Sequence, residues 1–193
     1  MMVKICGITN REDALAAVEA GASAIGFNFY RESPRYISHT GAAMIGEKIP
    51  PSVWKVGVFV NESPETIARI VLDAGLDVAQ LHGSSIARGV RMWQALSVKD
   101  YVADLPVRDL EAVLIDSPVF GIYGGTGTTW DWTQAPHLKH KIIIAGGLDA
   151  DNVRLAIEQA QPWGVDACSR IEKSPGLKDH DKMRRFIQAA LNS

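Results

Sequence analysis

The hydrophobic positions of the chain fall into short, β-branched runs that recur along its whole length and predict strands. These runs are Val3–Ile8, Ala24–Phe29, Trp54–Val60, Val78–Leu81, Met92–Leu96, Ala112–Ile115, Lys141–Ala145 and Gly164–Cys168. Most of them are apolar at consecutive positions rather than at alternate ones. That pattern is typical of strands covered on both faces, as in a parallel sheet.

Between the strands lie segments in which apolar residues recur at helical spacing. They predict helices over Arg11–Ala20, Ser63–Ala74, Asp149–Gln159 and Asp179–Leu191. Thr9 and Glu12 form a candidate capping box for the first helix, and Ser63 followed by proline favours the start of the second. Because strands alternate with helices, the chain predicts βαβ units and a parallel sheet.

Repetition of this unit predicts a closed (β/α)8 barrel, a TIM barrel, as a single domain over residues 1–193. Two crossovers, Gly83–Arg91 and the Pro106-containing Lys99–Glu111, are too short or too irregular for full helices. We therefore expect the fourth and fifth helices to be shortened or missing. The alternative, a doubly wound open sheet, would place a glycine-rich fingerprint after the first strand, and the segment from Cys6 to Asn10 is not one.

Composition restricts the function classes. The 20 basic and 22 acidic residues show no basic excess, so we expect no nucleic-acid partner. Two cysteines exclude a disulfide scaffold, and none of the five histidines has the spacing of a metal motif, so no metal is expected. Without a signal segment or an apolar run of about 18 residues, we expect a cytoplasmic protein with no membrane contact.

The active site of such a barrel lies at the C-terminal ends of its strands. Polar side chains occur there on nearly every strand: Cys6, Asn28, Arg31, Arg35, Gln80, His82, Asp116, Asp131, Asp166, Ser169 and Arg170. The long loop after the sixth strand also carries Gly124-Gly125-Thr126-Gly127. The concentration of polar residues at one end of the predicted barrel is stronger evidence for an active site there than any single residue.

Two turns are candidates for a phosphate site. Gly146 and Gly147 end the seventh strand, and Ser169 and Arg170 follow the eighth. Loops after these strands commonly hold phosphate in this fold, and glycine lets the backbone approach an anion. The competing interpretation is that a tight turn into a helix, capped by Asp149 or Asp151, simply requires glycine.

Cys6 and Lys4 lie on the same face of the first strand, with Cys6 at its exit. A nearby cation favours the thiolate, although a buried cysteine is most often a small core residue. A buried Lys4 needs a carboxylate partner, for which Asp116 and Asp166 are both candidates.

Asp131 and Arg35 each have two interpretations. Asp131 lies between two tryptophans and is either the N-cap of a helix over Trp132–Ala135 or a general acid whose pKa the indole surface raises; both roles can hold together. Arg35 follows Ser33-Pro34 and is either a solvated loop residue or a bidentate clamp for a substrate carboxylate.

Six motifs in this order give the chain a specific family resemblance. They are Lys4-Ile5-Cys6-Gly7-Ile8-Thr9, Ser33-Pro34-Arg35-Tyr36, Val56-Gly57-Val58-Phe59, Gln80-Leu81-His82-Gly83, Gly124-Gly125-Thr126-Gly127 with Trp130-Asp131-Trp132, and Ala145-Gly146-Gly147-Leu148. From residue 3 to about residue 186, the chain resembles the phosphoribosylanthranilate isomerases of tryptophan biosynthesis.

The resemblance implies an Amadori rearrangement of N-(5-phosphoribosyl)anthranilate, without a cofactor. It makes Cys6 the general base, Asp131 the general acid and Arg35 the ligand of the anthranilate carboxylate. Substrate contacts are expected from Gln80, His82 and Asp166, and phosphate contacts from Gly146, Gly147, Ser169 and Arg170. The partner is then a small phosphosugar carrying anthranilate, and the enzyme a monomer or homodimer.

One departure from the family pattern concerns the phosphate site, because Arg170 stands where a glycine is common. Either the backbone keeps its path and the side chain points away, or the guanidinium joins the phosphate site.

Other phosphosugar barrels fit the sequence less well. A ribulose-phosphate epimerase would need paired metal-binding histidines, and an indole-glycerol-phosphate synthase a lysine-rich site where only Lys4 is well placed. A degenerate barrel that only binds a ligand would not need both Cys6 and Asp131.

Overall fold

A computed structural model describes residues 1–97, 99–101, 110–116, 129–137 and 140–193. Its main sheet is a closed barrel in which each strand pairs with its neighbours in chain order and β8 pairs with β1. The strands are β1 Met2–Ile5, β2 Ala24–Asn28, β3 Trp54–Val60, β4 Val78–His82, β5 Arg91–Ser97, β6 Leu110–Asp116, β7 Ile142–Ile144 and β8 Gly164–Ala167. All pairs in the barrel are parallel, which confirms the predicted (β/α)8 architecture.

Helices cover the outside of the barrel. They are α1 Arg11–Ala20, α2 His39–Gly46, α3 Pro64–Ala74, α4 Val153–Ala160 and α5 His180–Leu191, with short 3-10 helices over Trp132–His137 and Ser169–Ile171. Two short antiparallel strands, β9 Glu172–Ser174 and β10 Leu177–Lys178, follow the second 3-10 helix. Among the helices of the described residues, none has the length and apolar character that crossing a membrane requires.

The structure agrees in part with the prediction that the fourth and fifth helices are shortened or missing. Residues 83–90, all of them described, contain no helix, as expected for the fourth crossover. Most of the fifth crossover lies outside the described residues. Helix α2 was not predicted, because His39–Gly46 contains two glycines and its Met44 is exposed, so that it shows no clear apolar stripe. Ser38 caps this helix by accepting a hydrogen bond from the Gly41 N–H.

Two predicted caps are wrong in detail. Helix α1 is capped by Asn10, whose side chain accepts a 2.8 Å hydrogen bond from the Asp13 N–H, whereas the Thr9 hydroxyl donates to the Gly176 carbonyl. Helix α4 begins after Asn152 rather than after Asp149 or Asp151. Asp149 instead accepts the backbone N–H groups of residues 151 and 152 in the turn before the helix.

The barrel interior is filled by inward-pointing side chains of the strands. They are Met2, Ala24, Val56, Val78, Trp93, Ala95, Ala112, Leu114, Ile143 and Ala145. Trp54 and Trp163 pack against Trp93, each with ring centroids 6.0 Å from it, near the N-terminal ends of the strands. This apolar plug closes one end of the barrel and leaves the C-terminal end for polar groups.

Candidate active site

A cavity of about 370 Å³ opens at the C-terminal ends of the strands. Apart from Arg31 and Asp131, the predicted polar site residues and the glycines of the phosphate turn line it: Cys6, Arg35, Gln80, His82, Gly146, Gly147, Asp166, Ser169 and Arg170. Asn28, Asp116 and Cys168 also line it. Along each strand, side chains point alternately into and out of the barrel. The inward-pointing positions that follow the apolar plug carry these polar side chains.

Lys4 and Asp166 form a buried ion pair, and Asp166 lines the cavity. They are register partners on β1 and β8, and the Lys4 Nζ lies 2.9 Å from the Asp166 Oδ1. Of the two carboxylates that the sequence left open, the partner is thus Asp166. Burial alone would lower the pKa of Lys4, but Asp166 and Cys6 outweigh it and raise that pKa. Burial raises the pKa of Asp166 to about 7, since Lys4 offsets the loss of hydration only in part.

Cys6 lies beside a second thiol, that of Cys168, and both are half-buried. A hydrogen bond from Cys168 lowers the pKa of Cys6 well below its ordinary value, against the effect of burial, and the nearby Lys4 lowers it further. The same hydrogen bond and burial raise the pKa of Cys168. The arrangement therefore favours a thiolate on Cys6 and a thiol on Cys168.

Arg35 is held by a carboxylate that the sequence analysis did not identify. Its Nε and Nη2 donate to the Glu172 carboxylate at 2.9 and 2.8 Å, and Lys178 donates to the same carboxylate at 2.9 Å. The Lys178 side chain is fully buried, and the Glu172 side chain is only 4% exposed. Burial would raise the pKa of Glu172, but the two cations outweigh it and lower that pKa. Arg35 is thus a half-buried residue fixed by an ion pair rather than a solvated one.

Gln80 and His82 form a neutral pair on β4. The Gln80 Nε2 lies 3.2 Å from the His82 Nε2, and the Gln80 Oε1 is buried without a hydrogen-bond partner among the described residues. Burial, helped by the nearby Lys4, lowers the pKa of His82 to about 4. His82 is therefore neutral at physiological pH.

The two predicted phosphate turns face each other at the cavity rim. Gly146 and Gly147 both have positive φ, of 87° and 61°, which only glycine adopts easily. Arg170, on the short 3-10 helix after β8, places its Nη1 2.9 Å from the Asp149 carboxylate, across the opening between the two turns. Its side chain is 45% exposed and lines the cavity rather than pointing away from it.

Asp131 lies apart from this cluster. It is fully exposed and does not line the cavity, and its carboxylate accepts hydrogen bonds from Thr133 and Gln134. These bonds cap the 3-10 helix, as the first interpretation expected, and lower the pKa of Asp131 instead of raising it. The indoles on either side are buried in the core, and Trp130 donates to the Ala145 carbonyl. Gly124-Gly125-Thr126-Gly127 lies outside the described residues.

Comparisons with known proteins place this chain in a family. The family model described as N-(5'phosphoribosyl)anthranilate (PRA) isomerase matches residues 3–189. An N-(5'-phosphoribosyl)anthranilate isomerase from Solibacter usitatus is 49% identical over 197 residues, which cover 98% of this chain and 97% of that relative.

Solved structures agree with the sequence match. The crystal structure of phosphoribosyl anthranilate isomerase from Thermotoga maritima superposes with a TM-score of 0.86 at 38% identity, covering 100% of both chains. A crystal structure of phosphoribosyl anthranilate isomerase in complex with reduced 1-(o-carboxyphenylamino)-1-deoxyribulose 5-phosphate superposes with a TM-score of 0.81 at 33% identity, again over 100% of both chains. Since the family model and the relatives match nearly the whole chain, the protein belongs to the N-(5'-phosphoribosyl)anthranilate isomerase family of enzymes.

Proposed function

We propose that this enzyme converts N-(5-phosphoribosyl)anthranilate to 1-(2-carboxyphenylamino)-1-deoxyribulose 5-phosphate, an Amadori rearrangement in tryptophan biosynthesis. The observation that carries the proposal is the position of the Cys6 thiol, whose pKa its neighbours lower, in one cavity with the fixed Arg35 and the facing Gly147 and Arg170 turns. A base, a carboxylate ligand and a phosphate site are the groups that this substrate requires.

The base acts at C2 of the sugar. Protonation of the ribose ring oxygen opens the ring to a Schiff base, and loss of the C2 proton then gives an enolamine that tautomerises to the ketone. The imine formed by the substrate's own nitrogen accepts the electrons, so this route needs no cofactor. Cys6 is suited to take the C2 proton because the neighbouring Cys168 and Lys4 lower its pKa and so favour its basic form.

The two ends of the substrate have matching groups. Glu172 occupies the Nε and Nη2 of Arg35, and among the described residues nothing bonds to its Nη1, which remains for the anthranilate carboxylate. The phosphate fits the backbone of Gly146, Gly147 and Ser169. We assign the Arg170 guanidinium to the same phosphate, where it would exchange Asp149 for a doubly charged ligand.

We assign the general acid to Asp131 on the family resemblance. Its carboxylate must then leave Thr133 and Gln134 and approach the ribose ring oxygen when the substrate binds. Asp166 is a second candidate for the acid, since it already lines the cavity and its pKa of about 7 suits proton donation near neutral pH.

The test is an anthranilate-fluorescence assay of the purified chain with freshly prepared substrate and no added metal. We expect turnover by the wild type and a loss of about 10²- to 10⁴-fold in kcat for Cys6→Ser, because a hydroxyl is a much weaker base. A fully active serine variant would return Cys6 to the role of a core residue.

The acid is tested by Asp131→Asn, which keeps the volume of the side chain but cannot donate a carboxyl proton. We expect a loss of similar size, about 10²- to 10⁴-fold, with an unchanged circular dichroism spectrum. Near-normal turnover in this variant, together with strong loss in a folded Asp166→Asn, would move the assignment to Asp166.

A further inference from the structure

Cys6 and Cys168 each lie directly after one of two neighbouring strands, β1 and β8. Ile5 and Ala167 are register partners on β1 and β8, and the Cys6 N–H continues the ladder with a 2.9 Å bond to the Ala167 carbonyl. Adjacent strands are about 4.8 Å apart. That spacing falls within the Cα separation of about 4.4–6.8 Å that disulfides span.

Both thiols point to the same side of the sheet. Each cysteine lies two residues after a member of the Lys4–Asp166 pair, whose side chains meet at 2.9 Å inside the barrel. A Cβ built on Gly7 would lie 3.0 Å from the Cys168 sulfur, so this sulfur packs over the backbone that follows Cys6.

The pair is open to small solutes and is placed among cations. Both cysteines line the cavity and are free thiols. The Lys178 Nζ lies 3.9 Å from the Cys168 sulfur, and the Lys4 ammonium lies beside Cys6. Positive charge near a thiol increases the fraction of thiolate, which is the form that attacks a disulfide.

We propose that Cys6 and Cys168 are a modification site, at which a small-molecule disulfide such as oxidised glutathione reversibly links the two residues and stops catalysis. The inference goes beyond the isomerisation itself, but its effect on activity rests on the proposed role of Cys6 as base.

The chemistry is two thiol–disulfide exchanges. The Cys6 thiolate attacks one sulfur of glutathione disulfide, whose S–S bond breaks, and one glutathione thiolate leaves. The Cys168 sulfur, after losing its proton, attacks Cys6 in this mixed disulfide and displaces the second glutathione thiolate. Overall, two protein thiols lose two electrons and two protons, and one glutathione disulfide is reduced to two glutathione thiols.

The experiment equilibrates the purified full chain, without oxygen, in buffers of increasing ratio of oxidised to reduced glutathione. Intact mass, non-reducing peptide mapping and isomerase activity are measured on the same samples. For the wild type we expect a loss in mass of two hydrogen atoms, a cross-linked peptide joining Cys6 to Cys168, and a fall in activity of at least about 100-fold. Dithiothreitol should restore both the mass and the activity.

Cys168→Ser is the matched variant, because it keeps Cys6 and removes only the resolving thiol. It should stop at the mixed disulfide and gain the mass of one glutathione. A wild type that also ends as a stable mixed disulfide, or that keeps two alkylatable thiols when a control dithiol protein is fully oxidised, would overturn the proposal.

The readouts separate this proposal from the proposed function. A cross-link that forms without loss of activity overturns the claim that the bond stops catalysis, and it also removes Cys6 from the mechanism. A chain that forms the cross-link but has no isomerase activity even when reduced supports the modification site and refutes only the proposed function.

Discussion

Removing the charge of Glu172 tests whether the buried ion network holds the site together. In Glu172→Gln, the side chain keeps its volume but loses its charge. Arg35 and Lys178, which bind the Glu172 carboxylate in the wild type, then lack a negative partner. Their side chains are 12% and 0% exposed, so water can replace the lost charge only poorly. Breaking a buried pair in this way costs about 3–5 kcal/mol of unfolding free energy.

The assay is equilibrium urea unfolding with thermal unfolding alongside it. For a domain of about 150–250 residues, each kcal/mol lowers Tm by about 2–4 °C, so we expect a fall of about 6–20 °C. The control is Asp151→Asn, which breaks the ion pair between Asp151 and Arg185. The Asp151 side chain is 84% exposed and the Arg185 side chain 66% exposed. That exposed pair should contribute only about 0–1 kcal/mol.

The pH dependence gives a second measure of the same network. The pKa of Glu172 is lowered in the folded state, so its contribution is present above the ordinary pKa of about 4.3 and is lost as the pH falls through the lowered value. The stability difference between wild type and Glu172→Gln should therefore shrink below about pH 4. A loss no larger than that of Asp151→Asn at neutral pH would refute the reasoning.

Two further substitutions address the chemistry of the cavity. Lys4→Met should raise the pKa of Cys6 and move the acid limb of the kcat/KM profile to higher pH, since the ammonium that favours the thiolate is gone; an unmoved limb, checked against the exposed Lys173→Met, would contradict this. Arg35→Ala should raise KM about 10- to 150-fold with a smaller effect on kcat, as expected for the loss of one charge-assisted contact of about 1.5–3 kcal/mol. Steady-state kinetics on a folded variant that show an unchanged KM would exclude the carboxylate clamp.

The sequence predicted the barrel well because its strands are buried on both faces. Such strands read as continuous apolar runs, and β3 Trp54–Val60 even has its predicted bounds. Helix α2 His39–Gly46 was missed because its residues show no apolar stripe at helical spacing, and packing against the barrel and α3 determines it instead.

The candidate site was predictable where it depends on strand ends. Cys6, Gln80 and Asp166 follow from the position of each strand's exit, since side chains alternate between the two faces. Glu172 and Lys178 did not follow from the sequence, because their partners are distant along the chain: 137 residues separate Arg35 from Glu172. A lysine among polar neighbours gives no local sign that it will be buried.

Closure of the barrel also determines when the enzyme can fold during its synthesis on the ribosome. Strand β1 needs β8 as its second neighbour, and 162 positions separate Lys4 from its counter-ion Asp166. Until translation has passed β8, a nascent chain carries an unpaired strand edge and an uncompensated lysine, which chaperones can shield. The closed barrel can therefore form only late in synthesis, once β8 is available to pair with β1.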